Sequence, residues 1–280
     1  MLTGDEIRER FLSFFEAKGH QRMPSASLVP SGDATLLFTS AGMVPFKPFF
    51  MGEQTPPSPC LTSSQKSFRT TDIDEVGDNT HLTLFEMLGN FSIGDYFKST
   101  AISLAWEFVT SEEKGFGIEK ARFFVTVYLD DEDAFSEWTQ NIGLCPSRVY
   151  RYGVDDNWWG PAGLEGPCGP CSELHYDFGF QNGCGQPLRD PNNGTDGCHP
   201  NHPCGRFIEL WNLVFMQFYQ DADGNRTLLP APSVDTGMGL ERAASILQNV
   251  SNIYETDLFQ ELIEKISVLT GNRYGRNEIL

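Results

Sequence analysis

The chain has 280 residues, of which 40% are hydrophobic and 21% are charged, a composition that predicts a globular protein with a large core. Its formal net charge of −18 excludes indiscriminate binding to nucleic acid, so any RNA contact must be local. The first ten residues are rich in charge and no apolar run is long enough to span a bilayer, so we expect neither a secretory signal nor a membrane span. Seven cysteines, an odd number, indicate thiols or metal ligands in a reducing compartment, and we expect a cytoplasmic protein.

The first predicted element is an amphipathic helix. Thr3 and Glu6 form a capping-box pattern, apolar residues recur on one helical face, and Gly19 is placed to end the segment. Beyond this helix, the apolar run TLLFTS (35–40) predicts a strand with irregular flanks.

In the middle of the chain, the sequence predicts a second helix, then a strand, and then the first turn of a third helix. Ser99 is expected to cap an amphipathic helix that extends to Val109. The alternating pattern of RFFVTVYL (122–129) predicts a strand. The acidic run DDEDAFSEW (130–138) predicts a solvated helix start, where the macrodipole favours carboxylates, and not a metal site.

One long segment, residues 178–206, has no apolar periodicity and is rich in Gly, Asn, Pro, Cys and His. A loop of this length in a compact domain usually serves a function or is held by a ligand. The segment RFIELWNLVFMQFYQ (206–220) then predicts a strand buried on both faces, and helical spacing returns at 240–247 and 258–269. Because strands and helices are mixed without regular βαβ alternation, we predict an α+β fold with an antiparallel sheet flanked by helices.

Two arginine-containing segments indicate a site for a phosphate-bearing ligand. In PSVDTGMGLER, Gly237 and Gly239 separate a strand from a helix that carries Arg242 in its first turn, which is a ready anion site. In SSQKSFRTTDIDEVGDNTHLTLFEML, two strand-like segments flank a polar loop, and Arg69 at its mouth can form two hydrogen bonds to a phosphate. Each segment alone also fits an ordinary turn with an exposed ion pair or an ordinary hairpin with a core phenylalanine.

Together these segments resemble motifs two and three of the class II aminoacyl-tRNA synthetases. The further strings FFEAKGH, LLFTSAGM, FEMLGNFSIGDYF, GPCGPCSE and ELWNLVFMQF resemble the catalytic domain of one family in that class, the alanyl-tRNA synthetases. The resemblance covers about residues 4–260. It implies the class II fold, an alanine–tRNA ligase activity, L-alanine, ATP and alanine tRNA as substrates, and Mg2+ as a cofactor.

The resemblance also implies how ATP is bound. Arg69 would hold the α-phosphate, Arg242 would hold the outer phosphates, and both would be catalytic. Phe91 would stack on the adenine, and the backbone of Met87 would read the edge of the base. The residues implied for ATP binding are Arg69, Glu86, Met87, Phe91, Gly237, Gly239 and Arg242.

Alanine requires a counterion for its ammonium, a donor for its carboxylate and a wall close to its methyl group. The resemblance implies Asp235, also a catalytic residue, for the ammonium, Asn212 for the carboxylate, and Val214 with Trp159 for the wall. Asn212 and Val214 are two residues apart on a predicted strand and so share a face, although core packing alone would also explain Val214. Glu209 is a magnesium candidate by analogy with the class, but its odd offset from Asn212 predicts the opposite face.

The implied chemistry requires no histidine or cysteine. The carboxylate of alanine is ionised at neutral pH, so it can attack the α-phosphorus of ATP in line while arginines and Mg2+ neutralise the developing charge. In the second step the terminal ribose hydroxyl of the tRNA attacks the mixed anhydride.

The chain departs from the family in one loop and in its extent. The loop TTDIDEVGDNTHL after Arg69 lacks the lysine that many alanyl enzymes carry there, and Lys66 is on the wrong side to replace it. We expect residues 1–250 to form the catalytic domain, with the insertion at 178–206, and residues 251–280 to begin a truncated helical tRNA-recognition region. The chain would then be a fragment that binds alanine tRNA weakly.

The insertion contains candidate zinc ligands, namely Cys184, Cys198, His202 and Cys204. Three thiols and one imidazole are an ordinary tetrahedral zinc set, and a structural zinc ion would order so long a loop. The spacing matches no standard zinc finger, and a loop with incidental thiols is the alternative. By resemblance, Cys168 and Cys171 upstream are wall residues near the active site more than metal ligands.

Two other functions remain open from the sequence alone. One is a stand-alone synthetase-like enzyme that loads an amino acid onto an acceptor other than tRNA. The other is a catalytically silent binding module held by zinc, against which the presence of Arg69, Asp235 and Arg242 argues.

Overall fold

The structure, a computed structural model, describes residues 1–30, 36–192, 194 and 196–275. Its helices are α1 (Gly4–Ala17), α2 (Lys47–Phe50), α3 (Lys98–Thr110), α4 (Glu132–Ser136), α5 (Val154–Asn157), α6 (Leu240–Gln248) and α7 (Asp257–Thr270). Its strands are β1 (Gln21–Met23), β2 (Cys60–Phe68), β3 (Leu84–Ser92), β4 (Phe123–Tyr128), β5 (Val149–Tyr152), β6 (Trp158–Trp159), β7 (Gly166–Asp177), β8 (Phe207–Gln220) and β9 (Arg226–Gly239).

The strands of the described ranges form one sheet in the order β1-β2-β3-β9-β8-β7-β4-β5, with β6 paired to β7 beside this path. The central pairs are antiparallel. The edge pairs β1–β2 and β4–β5 are parallel. The predicted α+β class is confirmed, and the two parallel edges make the sheet mixed where a wholly antiparallel one was expected.

The two faces of the central strands have different partners. On β8, Leu213 and Phe215 point into a large core that also contains the apolar faces of α1, α3 and α6. Val214 and Met216 alternate with them and point to a second, smaller core on the opposite face. Because helices cover the first face, the second face is the one on which a ligand can reach the middle of the sheet.

Local signals account for the ends of α1. The Thr3 backbone N–H donates to Glu6 Oε2 at 2.8 Å, and the Thr3 hydroxyl accepts from the Glu6 N–H at 3.3 Å, so the predicted capping box is present. Gly19 follows the helix with φ +89°, a left-handed conformation that favours glycine. The helix and both of its ends are as predicted.

Two details of the sequence analysis are wrong. Ser99 does not cap α3, which begins at Lys98 after Phe97, so Ser99 already lies in the first turn. Residues 36–40 of TLLFTS form no strand, and Thr35 lies outside the described residues. Thr39 makes single backbone bonds to Leu28 and Phe68 and no continuous ladder, because this segment crosses the end of β2 and does not run along it.

The C-terminal helix packs against the N-terminal one. Asp257 accepts hydrogen bonds from the backbone N–H of Gly4 and from Gln248, and Leu258 contacts the core. The division into a catalytic domain of residues 1–250 and a further region from 251 stays a prediction, and its last five residues lie outside the described ranges. None of the helices in the described part of the chain combines the length and apolar character needed to cross a membrane.

Candidate active site

A cavity of about 350 Å3 opens on the sheet face that the helical layer leaves free. It is enclosed by the hairpin β2–β3, by β6, β8 and β9, and by the first turn of α6. Nine of the eleven residues predicted for nucleotide and alanine binding line it, namely Arg69, Met87, Trp159, Asn212, Val214, Asp235, Gly237, Gly239 and Arg242. Glu86 and Phe91 are not part of this lining.

Arg69 lies at the mouth of the β2–β3 hairpin, directly after β2. Its Nε donates to the backbone oxygen of Ser40 at 2.9 Å, and its guanidinium lies 5.3 Å from the ring centre of Phe85. Burial lowers the pKa of Arg69, and the nearby charge of Asp72 offsets part of this effect. A positive charge that is partly stripped of water favours binding of an anion.

Arg242 lies in the first turn of α6 and reaches across the cavity. Its Nη1 donates to Glu209 Oε2 at 3.0 Å, and its Nη2 lies 3.4 Å from His81 Nε2. The other ring nitrogen of His81 contacts Asp78 at 2.6 Å, so the hairpin loop is tied to α6 through this histidine. His81 lines the cavity as well, although nothing in the sequence pointed to a role for it.

Glu209 lines the cavity, although its odd offset from Asn212 predicted the opposite face. The reason is a β-bulge in β8: Leu174 of β7 pairs with Trp211, while the next residue, His175, pairs with Glu209. The extra residue, Leu210, lies in the same core as Trp211 and reverses the alternation. The expected face of Glu209 is therefore wrong, and its carboxylate lies beside Arg242.

Asp235 and Val214 are paired across β9 and β8, so their side chains lie side by side in the cavity. Asp235 is 5% exposed. Burial raises the pKa of Asp235 to about 7, an effect that the charge of Arg69 partly opposes. A buried carboxylate of this kind binds a cation strongly, because the cation replaces the water that the carboxylate has lost.

Asn212 also lies in the cavity wall, but its amide is oriented by a residue that the sequence analysis did not single out. Its Nδ2 donates to Glu173 Oε1 at 3.0 Å, and its Oδ1 is buried without a hydrogen-bond partner among the described residues. Glu173 is held in turn by His175 Nε2 at 3.2 Å and by the Thr126 hydroxyl at 3.2 Å. The structure therefore offers an acceptor where a donor to the substrate carboxylate was expected.

Two residues that were expected to bind ATP contact other side chains of the protein instead. Phe91 is fully buried, and its ring packs at 4.8 Å on Phe46, so it has no free face for a base. The Glu86 carboxylate accepts two hydrogen bonds from Arg8, at 2.7 and 2.8 Å, outside the cavity. Phe85, one residue before Glu86, lines the cavity and is an aromatic residue on the β2–β3 hairpin side of it.

Gly237 and Gly239 have different surroundings, so the absence of a side chain has a different effect at each position. A Cβ at Gly237 would lie 2.9 Å from the sulfur of Met87, so glycine here leaves room for the Met87 side chain. A Cβ at Gly239 would meet only the side chain of Arg242 at 3.7 Å, an ordinary contact. The space above Gly239 is therefore open to the cavity, at the N-cap of α6.

The insertion at 178–206 brings three of its four candidate ligands together. The thiols of Cys184, Cys198 and Cys204 lie within 4.8 Å of one another. His202 is farther from at least one of these sulfurs, but it lies next to the Cys204 thiol. Cys168 and Cys171 are buried in β7 and do not join the cluster; Cys171 pairs with Val214, but neither cysteine is part of the cavity lining.

The cavity thus joins two arginines, suited to phosphate or carboxylate groups, with a buried carboxylate, suited to an ammonium group. That combination suits a ligand, or a pair of ligands, with both anionic groups and an ammonium group. The model of the class II (A) tRNA synthetase family matches residues 6–279, and the chain belongs to this family.

Its relatives include alanine–tRNA ligases. The chain is 54% identical over 275 residues to alanine–tRNA ligase of Dehalococcoides mccartyi strain CBDB1, and 50% identical over 274 residues to that of Carboxydothermus hydrogenoformans. Each match covers 98% of this chain and 30% of the relative, so the chain spans about a third of their length. The solved structure of pyrrolysyl-tRNA synthetase from Desulfitobacterium hafniense aligns with 91% of this chain and 72% of that one, with a TM-score of 0.47 and 12% identity.

Proposed function

We propose that this chain activates L-alanine with ATP to form alanyl-adenylate and transfers the alanyl group to alanine tRNA in the cytoplasm. The observation that carries the proposal is the presence of Arg69, Arg242 and Asp235 in one cavity. Arginines suit the phosphates of ATP, and a buried carboxylate suits an amino acid's ammonium group. The identity of about half of all residues to alanine–tRNA ligases supports this assignment over an enzyme that loads another acceptor or a silent binding module.

For alanine, Asp235 and the unpaired Oδ1 of Asn212 would both accept hydrogen bonds from the ammonium group. The carboxylate of alanine would then lie toward Arg69, whose charge is felt at Asp235. Val214 and Trp159 would close on the methyl group and exclude larger side chains. Asn212 would thus accept a hydrogen bond from the ammonium group of alanine, whereas the resemblance implied that it donates one to the carboxylate.

For ATP, Arg69 would contact the α-phosphate, and Arg242 would contact the outer phosphates beside the open space at Gly239. Phe85 replaces Phe91 as the residue proposed to stack on the adenine, because its ring lies in the cavity wall next to Arg69. The backbone of Met87, a residue of the cavity wall, would read the edge of the base, as the resemblance implies.

The cavity wall also fits Mg2+, which binds through one or two carboxylates together with substrate phosphates. Glu209, Asp72 and Glu75 supply carboxylates there, and Glu209 is the one adjacent to Arg242. When bound, Mg2+ would neutralise charge on the phosphates. The protein's own part is to orient both substrates and to place Arg69 and Arg242 around the reacting phosphorus.

The first step forms a bond between a carboxylate oxygen of alanine and the α-phosphorus, and breaks the bond between that phosphorus and the bridging oxygen of pyrophosphate. No proton moves, so positioning and electrostatic stabilisation are sufficient. In the second step the terminal ribose hydroxyl of the tRNA attacks the carbonyl carbon, the bond from that carbon to the phosphate oxygen of AMP breaks, and the hydroxyl proton is released to the phosphate of AMP or to water.

We expect transfer to tRNA to be weak in this chain. The hairpin loop carries Asp72, Asp74 and Glu75 where many alanyl enzymes have a lysine, and these carboxylates repel a phosphate backbone.

The decisive test is amino-acid-dependent exchange of pyrophosphate into ATP with each of the standard amino acids. Exchange should be fastest with alanine and should require Mg2+. Exchange that shows no preference for alanine would contradict the proposed substrate, and nucleotide binding without any exchange would favour a binding module.

A further inference from the structure

Three thiols converge within the 178–206 insertion, at a distance from one another that suits a shared metal ion. The Cys198 and Cys204 sulfurs are 3.6 Å apart, and Cys184 completes a set within 4.8 Å. Two Zn–S bonds of about 2.3 Å at a tetrahedral angle place the sulfurs about 3.8 Å apart. The cluster is therefore close to the geometry of a zinc site.

A fourth ligand is available beside these thiols. The His202 ring lies next to the Cys204 thiol, and its Nδ1 is a buried nitrogen without a hydrogen-bond partner in the described part of the chain. The neighbouring His199 differs, because its Nδ1 is engaged by the Tyr152 hydroxyl at 2.8 Å. An unpaired buried nitrogen is costly unless a metal ion or another partner satisfies it.

We propose that Cys184, Cys198, Cys204 and His202 bind one structural Zn2+ ion. Four protein ligands close the tetrahedral shell, so the ion keeps no open position for substrate or water. None of the four residues lines the candidate active site. The proposal stands apart from the proposed reaction, because no step of that reaction depends on it.

Besides the proposed ligands, the insertion is held to the domain by hydrogen bonds from the Tyr150 and Tyr152 hydroxyls to backbone oxygens at positions 189 and 200, and by an apolar cluster. Of its residues, Cys198 contributes to a small apolar cluster with Phe124, Tyr150 and Phe207. The base of the insertion is closed by Arg206, which donates to both oxygens of Asp177 at 2.7 and 2.8 Å. In addition to these contacts, a metal shared by residues 184 and 204 would cross-link the loop and stabilise its folded conformation.

Metal analysis of the full chain, purified without chelator, tests the proposal. We expect about one zinc per chain, and loss of most of it in Cys184→Ser. Cys145→Ser is the matched control, because Cys145 and Cys184 are both exposed free thiols and Cys145 lies outside the cluster. His202→Asn should weaken zinc binding, whereas His199→Asn should retain the metal.

A second measurement does not depend on how the variants fold. Wild-type chain stripped of metal and titrated with Co2+ alone should show the visible absorption of a tetrahedral thiolate site at one equivalent, and Zn2+ should displace it. Stoichiometric iron in the purified protein, a Cys198–Cys204 disulfide found by intact mass, or equal zinc content in wild type and Cys184→Ser would each overturn the proposal.

Discussion

Arg242 and Glu209 form an ion pair across the candidate active site, with Nη1 3.0 Å from Oε2 and 3.3 Å from the backbone oxygen of Glu209. The pair joins the first turn of α6 to β8, and the bulge at Leu210 is what aims Glu209 at the arginine. Both side chains are partly exposed to the cavity, so a phosphate can approach the guanidinium while the carboxylate approaches a metal ion. This relationship leads to the first two predictions.

Arg242→Ala and Arg69→Ala should each reduce alanine-dependent pyrophosphate exchange about 100-fold without unfolding the protein. Each change removes charged hydrogen-bond donors to phosphate, and loss of one such donor costs about 3 kcal/mol in the transition state. Arg22→Ala is the control, because Arg22 forms ion pairs with Glu9 and Glu16 away from the cavity. Exchange near the wild-type rate in either cavity variant would contradict the assigned roles.

Glu209→Gln should raise the Mg2+ concentration needed for half-maximal exchange, because it removes a carboxylate from the metal-binding wall. The amide can still accept a hydrogen bond from Arg242, so the position of the arginine is preserved. Glu75→Gln, a second carboxylate of the cavity wall, is the comparison. If the Mg2+ requirement shifts with Glu75→Gln and not with Glu209→Gln, the metal lies at the hairpin loop.

The pKa of Asp235, raised to about 7 by burial, should control alanine binding. The bound ammonium favours the ionised carboxylate, so the pKa of Asp235 falls in the complex and alanine binds more tightly as pH rises through about 7. Below that pH, kcat/KM for alanine should fall about tenfold per unit, because this quantity reports titration of the free enzyme.

A control separates Asp235 from a second carboxyl in the same wall. Burial also raises the pKa of Glu241 to about 7. Glu241→Gln should leave the alanine pH profile in place if Asp235 is responsible. A profile for alanine that becomes flat in Glu241→Gln would assign the titration to Glu241.

Glu173 should act as a positioning residue for alanine. Glu173→Ala leaves the Asn212 amide free to rotate, so KM for alanine should rise about tenfold while KM for ATP changes little, in keeping with loss of a buried charged hydrogen bond. Glu173→Gln retains an acceptor for Asn212 and should recover most of the affinity. Equal changes in the two KM values, or no rescue by glutamine, would indicate a general structural role.

The parts of this site that sequence predicts are those fixed by local pattern. Arg69 ends a strand at a hairpin and Arg242 starts a helix after two glycines, so both positions follow from strand and helix signals along a few residues. Asp235 and Val214 required the family resemblance to assign roles, and their pairing across two strands agrees with it. The positions of Arg69 and Arg242 could therefore be predicted from the residues next to them in sequence.

The parts that sequence did not predict depend on partners far along the chain. A bulge in the pairing of β8 with β7 decides on which face Glu209 lies. The alternation of side chains along a regular strand does not reveal a bulge. Phe91 is buried by Phe46, which ends a short 3-10 helix 45 residues earlier in the chain. The orientation of Asn212 depends on Glu173, which is 39 residues away in sequence.

The size of the alanine pocket leads to a last prediction, on specificity. Removing one methyl or adding one hydroxyl changes binding by about 1 to 3 kcal/mol, so a pocket of this kind discriminates only about 10- to 200-fold. Glycine and serine should therefore be activated measurably in pyrophosphate exchange, while valine should be rejected by contact with Val214.

Val214→Ala should enlarge this pocket and raise exchange with 2-aminobutyrate relative to alanine, because the wall recedes from the substrate methyl group. Val127→Ala is the matched control: Val127 is equally buried but lies in the core on the helical face of the sheet, so it should lower stability by about 1 kcal/mol or more without changing the preference among amino acids. Selectivity is measured as the ratio of kcat/KM values for 2-aminobutyrate and alanine. Valine exchange equal to that of alanine in the wild type, or an unchanged ratio in Val214→Ala, would show that Val214 does not form the wall of the amino-acid pocket.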